Sequence, residues 1–157
     1  MKEINVSELK DNMFDAISKE WMLVTAGTQE KFNMMTASWG GTGVLWAKPV
    51  AFIFIRPERY TYQFIEEGED IHKICGSKSG RDIDKVAATG LKPFATPEGN
   101  IAYEQARMVL ECRKLYADMI KPEQFIDASL VSRWYGEGHG GFHKMYVVEI
   151  EHVWVKE

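Results

Sequence analysis

Two long runs of alternating side chains in the C-terminal third constrain this sequence more than any other feature. Ala106, Met108, Leu110 and Cys112 alternate with Arg107, Val109, Glu111 and Arg113, the period of a half-buried strand. A second run spans Tyr146 to Val155, with Tyr146, Val148 and Ile150 on one side and Val147 and Glu149 on the other. Upstream, Trp21 to Ala26 is rich in strand formers, and Gly27 to Lys31 supply a turn before Phe32, which predicts a hairpin. After Trp39, Gly40, Gly41 and Gly43 break the pattern, and Val50 to Ile55 (VAFIFI) then reads as a strand buried on both faces.

Helical signals fall between these runs. Thr61 is placed as an N-cap, with Phe64 and Ile65 inside the helix and Gly68 as its stop. Ser79 and Asp82 have capping-box spacing, and the helix they begin runs to Gly90. Lys92 to Asn100 reads as a loop, while Pro122 to Phe125 and Ser129 to Trp134 read as short helices. Strands, then a helix or two, then strands again give no regular strand–helix–strand alternation. The sequence therefore predicts a mainly β fold, an antiparallel barrel with a few peripheral helices, in place of a parallel sheet.

At 157 residues, without an internal repeat or linker, the chain is expected to form a single domain over 1–157. A net charge of -4 and a pI near 5.6 argue against a general nucleic-acid binder, which needs a basic surface. The longest fully apolar run, Val50 to Ile55, is far short of the roughly 20 residues that span a bilayer, so no membrane association is expected. Met1, Lys2 and Glu3 open a segment that lacks the apolar core of a secretory signal, which points to the cytoplasm. Cys75 and Cys112 form neither a CxxC pair nor a disulfide framework and are read as free thiols.

Several familiar sites are missing: neither GxGxxG nor GxxxxGK[ST] occurs, and no serine sits in a GxSxG elbow. His139 and His143 are four apart, but in the glycine-rich GHGGFH they read as two solvated loop histidines in preference to metal ligands. Three stretches carry chemistry. In Asn33 to Gly41 (NMMTASWGG), Thr36, Ala37 and Ser38 are small enough to let a flat ligand approach the backbone; a plain strand running into a turn is the competing reading. In Arg56 to Thr61 (RPERYT) a strand delivers two arginines and a threonine to a helix start, which suits a phosphate or equally leaves two solvated arginines. In Cys75 to Lys85 (CGSKSGRDIDK), Ser77, Lys78, Ser79 and Arg81 sit at another helix start, again suited to an anion or to a simple cap.

Together with HKMYVVEIEHVWV, these stretches strongly resemble the flavin reductase-like family of FMN-binding split barrels, to which flavoredoxins belong; the resemblance runs from about Trp21 to Val155. It implies a six-stranded antiparallel split barrel that forms a homodimer and holds one FMN per subunit between the chains. On that resemblance Thr36, Ala37, Ser38 and Trp39 line the isoalloxazine, and Arg59 and Thr61 with Ser77 and Lys78 surround the phosphate. Phe142 and His143 match late aromatic and histidine positions near the flavin, and Asn33, Arg56, Tyr60 and Ser79 complete the cofactor-binding set. No residue is assigned to acid–base catalysis. The implied activity is flavin reduction by NADH or NADPH; the alternatives are a flavoredoxin-type carrier reduced by a protein partner and a barrel that has lost its cofactor. One departure stands out. Only a few residues separate the helix after RYT from CGSKSG, so the barrel either lacks one strand between Ile71 and His72 or the sequence omits residues there.

Overall fold

The computed structural model describes residues 1–67, 70–73 and 84–157. In chain order the strands are β1 Lys2–Ile4, β2 Met22–Gly27, β3 Phe32–Ala37, β4 Gly40–Leu45, β5 Lys48–Ile55, β6 Asp70–Lys73, β7 Pro93–Ala95, β8 Ile101–Tyr103, β9 Met108–Met119 and β10 Lys144–Val155. The helices are α1 Met13–Ser18, α2 Tyr60–Glu67, α3 Lys85–Thr89 and α4 Ser129–Tyr135, with 3-10 turns at Val6–Glu8 and Pro122–Gln124. The main sheet runs β3-β2-β6-β9-β10-β5-β4, with β1 paired to the end of β10, and all its ladders are antiparallel. Its eight strands exceed the six implied by the resemblance, and the two shortest, β1 and β6, make up the difference. Among the described residues β3 and β4 end the path and do not pair with each other, so the barrel is split. They are also consecutive in the chain, joined only by Ser38 and Trp39, so the two sheet edges converge on that corner.

A strand occupies the place where the sequence reading expected one to be lost. Ile71 and His72 are neighbours within β6, whose Ile71 lies opposite Ala26 of β2 and Cys112 of β9. The strand is shortened to four residues, and the sheet path stays continuous.

The glycines after Trp39 do not break the strand pattern; they build β4. A Cβ on Gly40 would lie 2.7 Å from the Phe52 carbonyl oxygen and 2.7 Å from Met22 Cε, so only glycine lets β4 pack this closely on β5. β4 and β5 are joined by a two-residue turn, Trp46 and Ala47, at φ 51° and 56°. Such a turn ordinarily calls for Asn-Gly, which is why the sequence gives no sign of it. Lys92 to Asn100, expected as loop, contains β7, with Pro93 at the first strand position, where its missing N–H is tolerated.

α2 begins one residue before Thr61, which is therefore not its N-cap. α3 is shorter than the capping-box reading: it starts at Lys85, where the Asp84 side chain accepts from the Ala87 N–H, and ends at Gly90 with φ 67° as expected. Ser79 and Asp82 lie outside the described residues. Ile65 of α2 and Val24, Ile55 and Val148 of the sheet are wholly buried in one core, each contributing about 1.5–3 kcal/mol by burial. Phe52 and Phe54 stay half-buried, so β5 is covered on one face only. Glu111, placed by alternation on the polar side of β9, is instead fully buried. It accepts a hydrogen bond from the Thr96 hydroxyl and one of 2.6 Å from Asn100 Nδ2, tying the β7–β8 turn to the main sheet.

Candidate functional site

The structure gathers the motif residues into two neighbourhoods, one between β3 and α2 and one around Trp39 at the corner between β3 and β4. In β3, Met35 and Ala37 belong to the main core while Met34 packs in a separate cluster with Ile101 and Tyr103. Strand alternation then sends Thr36 away from the core and turns the Ala37 methyl into it. Ala37 can meet a ligand only through its backbone, whereas Thr36 is half-buried on the other face.

The first neighbourhood joins β3 to α2. Asn33 and Thr61 are buried, and Asn33 Nδ2 donates to Thr61 Oγ1 at 2.8 Å. Tyr60 packs edge-on against Phe64 at 5.2 Å, and Lys31 Nζ lies 5.4 Å from the Phe64 ring centre. Asn33, Tyr60, Phe64, Lys31, Asp84 and Lys85 line a cleft of about 500 Å³ between β3, α2 and the start of α3. Lys85 is buried and donates to the Met34 carbonyl at 2.6 Å. Ser77, Lys78 and Ser79 lie outside the described residues.

The second neighbourhood surrounds Trp39. Its indole lies 5.1 Å from the His143 ring and meets Trp134 edge-on at 5.1 Å. Phe142 stacks on Tyr135 at 4.4 Å and 18°. His143 is not a solvated loop residue: it is buried, and its Nδ1 lies 3.0 Å from the Tyr135 hydroxyl. Burial, reinforced by the charges of Arg56 and Arg59, pushes its pKa down to about 4, so the ring is neutral near pH 7.

The two arginines of RPERYT have different surroundings. The Arg56 guanidinium is committed to backbone carbonyls: those of Trp134 at 3.0 Å, Gly141 at 3.2 Å and His139. It also lies 5.3 Å from the centre of the Tyr135 ring. Glu58 completes this clamp by accepting from the Gly141 N–H at 2.5 Å. Hydrogen bonding from its own and the Gly141 backbone outweighs burial and holds the Glu58 carboxyl below its ordinary pKa. Arg59 is exposed, and among the described residues its side chain makes no hydrogen bond or ion pair. Tyr135, Glu58, Lys31 and Lys85 escaped the sequence reading; the only sign of the first is its place in the aromatic and glycine-rich run from Trp134 to His143.

An open antiparallel barrel with small residues at its split defines a split-barrel protein. Residues 14–157 match the flavin reductase like domain, and the chain belongs to that family. Among solved structures it is similar to an FMN-binding protein from Thermus thermophilus, at 20% identity and a TM-score of 0.63, covering 87% of this chain and 71% of that one. It is also similar to the flavoredoxin of Desulfovibrio vulgaris (Miyazaki F), at 21% identity and a TM-score of 0.64, covering 87% and 69%. An NADH:FAD oxidoreductase from Streptomyces globisporus is similar at 15% identity and a TM-score of 0.59, covering 87% and 75%. No curated protein matches the chain.

Proposed function

We propose that this chain binds FMN and uses it to transfer electrons as a flavin reductase. The observation that carries the reading is the cleft of about 500 Å³ beside Asn33, Tyr60 and Phe64 in a chain of this family. Its volume falls within the roughly 300–1,000 Å³ of small-molecule sites. The lining residues also fit: Lys31 offers a cation for a phosphate, and Tyr60 and Phe64 offer an apolar wall. On this reading the exposed Arg59, next to Tyr60 in the chain, supplies a second cation from outside the cleft's lining. Thr36, the Ala37 backbone, Ser38 and Trp39 lie at the split, where a flat ring could rest against small side chains. Bound FMN supplies the hydride and electron chemistry; the protein's residues bind it, orient it and set its surroundings.

The same reading makes the protein a homodimer. Val44, Trp46 and Tyr116 are 78%, 57% and 46% exposed, and the last two rings touch edge-on at 6.4 Å, an apolar patch that a second copy would cover. Light scattering of the FMN-loaded protein should give twice the 18.0 kDa chain mass; a monomer mass would contradict this. NADH or NADPH is the donor on this reading. Steady-state oxidation of each by the FMN-loaded protein tests it: rapid turnover supports a reductase, and reduction only by a protein donor replaces it with a flavoredoxin-type carrier.

A further inference from the structure

His143 owes its setting to a residue outside all three motifs. Tyr135 closes α4, and the loop that follows is fastened to the turn after β5 at several points. Arg56 holds the carbonyls of Trp134, His139 and Gly141, and Glu58 holds the Gly141 N–H. The Tyr135 ring packs against both the Arg56 guanidinium, 5.3 Å from its centre, and the stacked Phe142, and its hydroxyl lies 3.0 Å from His143 Nδ1.

We infer that Tyr135 is a positioning residue: its hydroxyl donates to His143 Nδ1, holds the imidazole as the Nε2–H tautomer, and leaves Nε2–H as a neutral donor for a carbonyl or carboxamide oxygen of the bound ligand. The direction of the bond follows from acidity. A phenol is a far stronger acid than a neutral imidazole N–H, and an imidazole imine nitrogen is a better acceptor than a phenol oxygen. Burial raises the Tyr135 pKa and keeps the phenol protonated, while His143 stays neutral above about pH 4. With Nδ1 occupied, the proton sits on Nε2 at the opposite edge of the ring, in a cluster that also contains Trp39. A neutral N–H suits a carbonyl oxygen; a phosphate is better met by cations such as Arg59. The identity of the acceptor rests on the flavin reading, whereas the tautomer does not.

The test is a long-range 1H–15N correlation spectrum of the full chain, with and without FMN, in wild type and in Tyr135→Phe, the His143 signals being assigned with His143→Gln. Phenylalanine keeps the stack on Phe142 and removes only the hydroxyl. Wild type should show a single Nε2–H pattern and the variant a mixture of both tautomers. FMN and riboflavin should weaken by the same factor in the variant, about three- to tenfold, because the lost donor serves the ring and not the phosphate. An Nδ1–H ring in wild type, or identical spectra in the two proteins, would overturn the inference. If the spectra behave as expected and neither protein binds FMN, the tautomer assignment holds and the flavin reading fails.

Discussion

Replacing Arg56 by alanine removes the guanidinium that fastens the loop after α4 to the turn after β5, and the loss should appear as stability. A hydrogen bond to a charged group is worth about 1.5–3 kcal/mol. The bonds to Trp134 and His139 are exposed, so those carbonyls recover water, while the bond to Gly141 is partly buried. One substantial bond plus a cation–π contact on Tyr135 of about 0.5–1 kcal/mol gives a total of about 2–3 kcal/mol. Urea unfolding should show this as a lower midpoint at unchanged slope. The His143 pKa should also rise from about 4, because one of the two arginine charges that depress it is gone. Arg59→Ala should behave in the opposite way, changing stability by less than about 0.5 kcal/mol while weakening FMN much more than riboflavin. If Arg56→Ala left stability untouched and selectively lost FMN, Arg56 would be a phosphate ligand and the clamp assigned to it would be wrong.

Thr61→Val should destabilise the protein by about 1–3 kcal/mol, measured by chemical denaturation, since it strands the buried Asn33 amide that donates to Thr61. Ala37→Leu should overpack the core by about 1–3 kcal/mol, whereas Thr36→Leu, on the face away from that core, should cost less stability than Ala37→Leu and block FMN in a fluorescence titration. His143 binds its proton near pH 6.5 when unfolded and only near 4 when folded, so the unfolded state takes up the proton first as pH falls. Its contribution, on the order of 3 kcal/mol, is present above about pH 6.5 and lost progressively toward pH 4. His143→Phe should flatten that part of the stability–pH curve.

The strands were legible from the two-residue period and strand-forming types of their side chains, even where both faces are buried, as at Val109 to Cys112 and Tyr146 to Val148: β10 begins at Lys144, two residues before its expected start, and the hairpin of β2 and β3 stands where WMLVTA and the following turn put it. β4 was not legible, since three of its six residues are glycines, and their reason for being there is the approach of Phe52 and Met22, a fact of tertiary packing. The 71–72 junction misled because a strand of four residues is too short to show a period. At the candidate site, chemistry was readable and orientation was not. RPERYT announces two arginines, but only the fold shows that loop carbonyls claim Arg56 and leave Arg59 exposed. The TAS motif marks a place for a flat ligand, but the phase of β3 against the core decides that Thr36, not Ala37, turns its side chain away from it. Tyr135 was invisible because its meaning depends on a partner eight residues away across a glycine-rich loop.

The central claim is that this chain holds FMN, and an equilibrium titration of the flavin-free protein tests it most directly. With FMN fluorescence followed as protein is added, the account predicts quenching that saturates at one FMN per chain, with riboflavin binding more weakly for want of the phosphate. Fluorescence that stays at the free-flavin level at every protein concentration would contradict it.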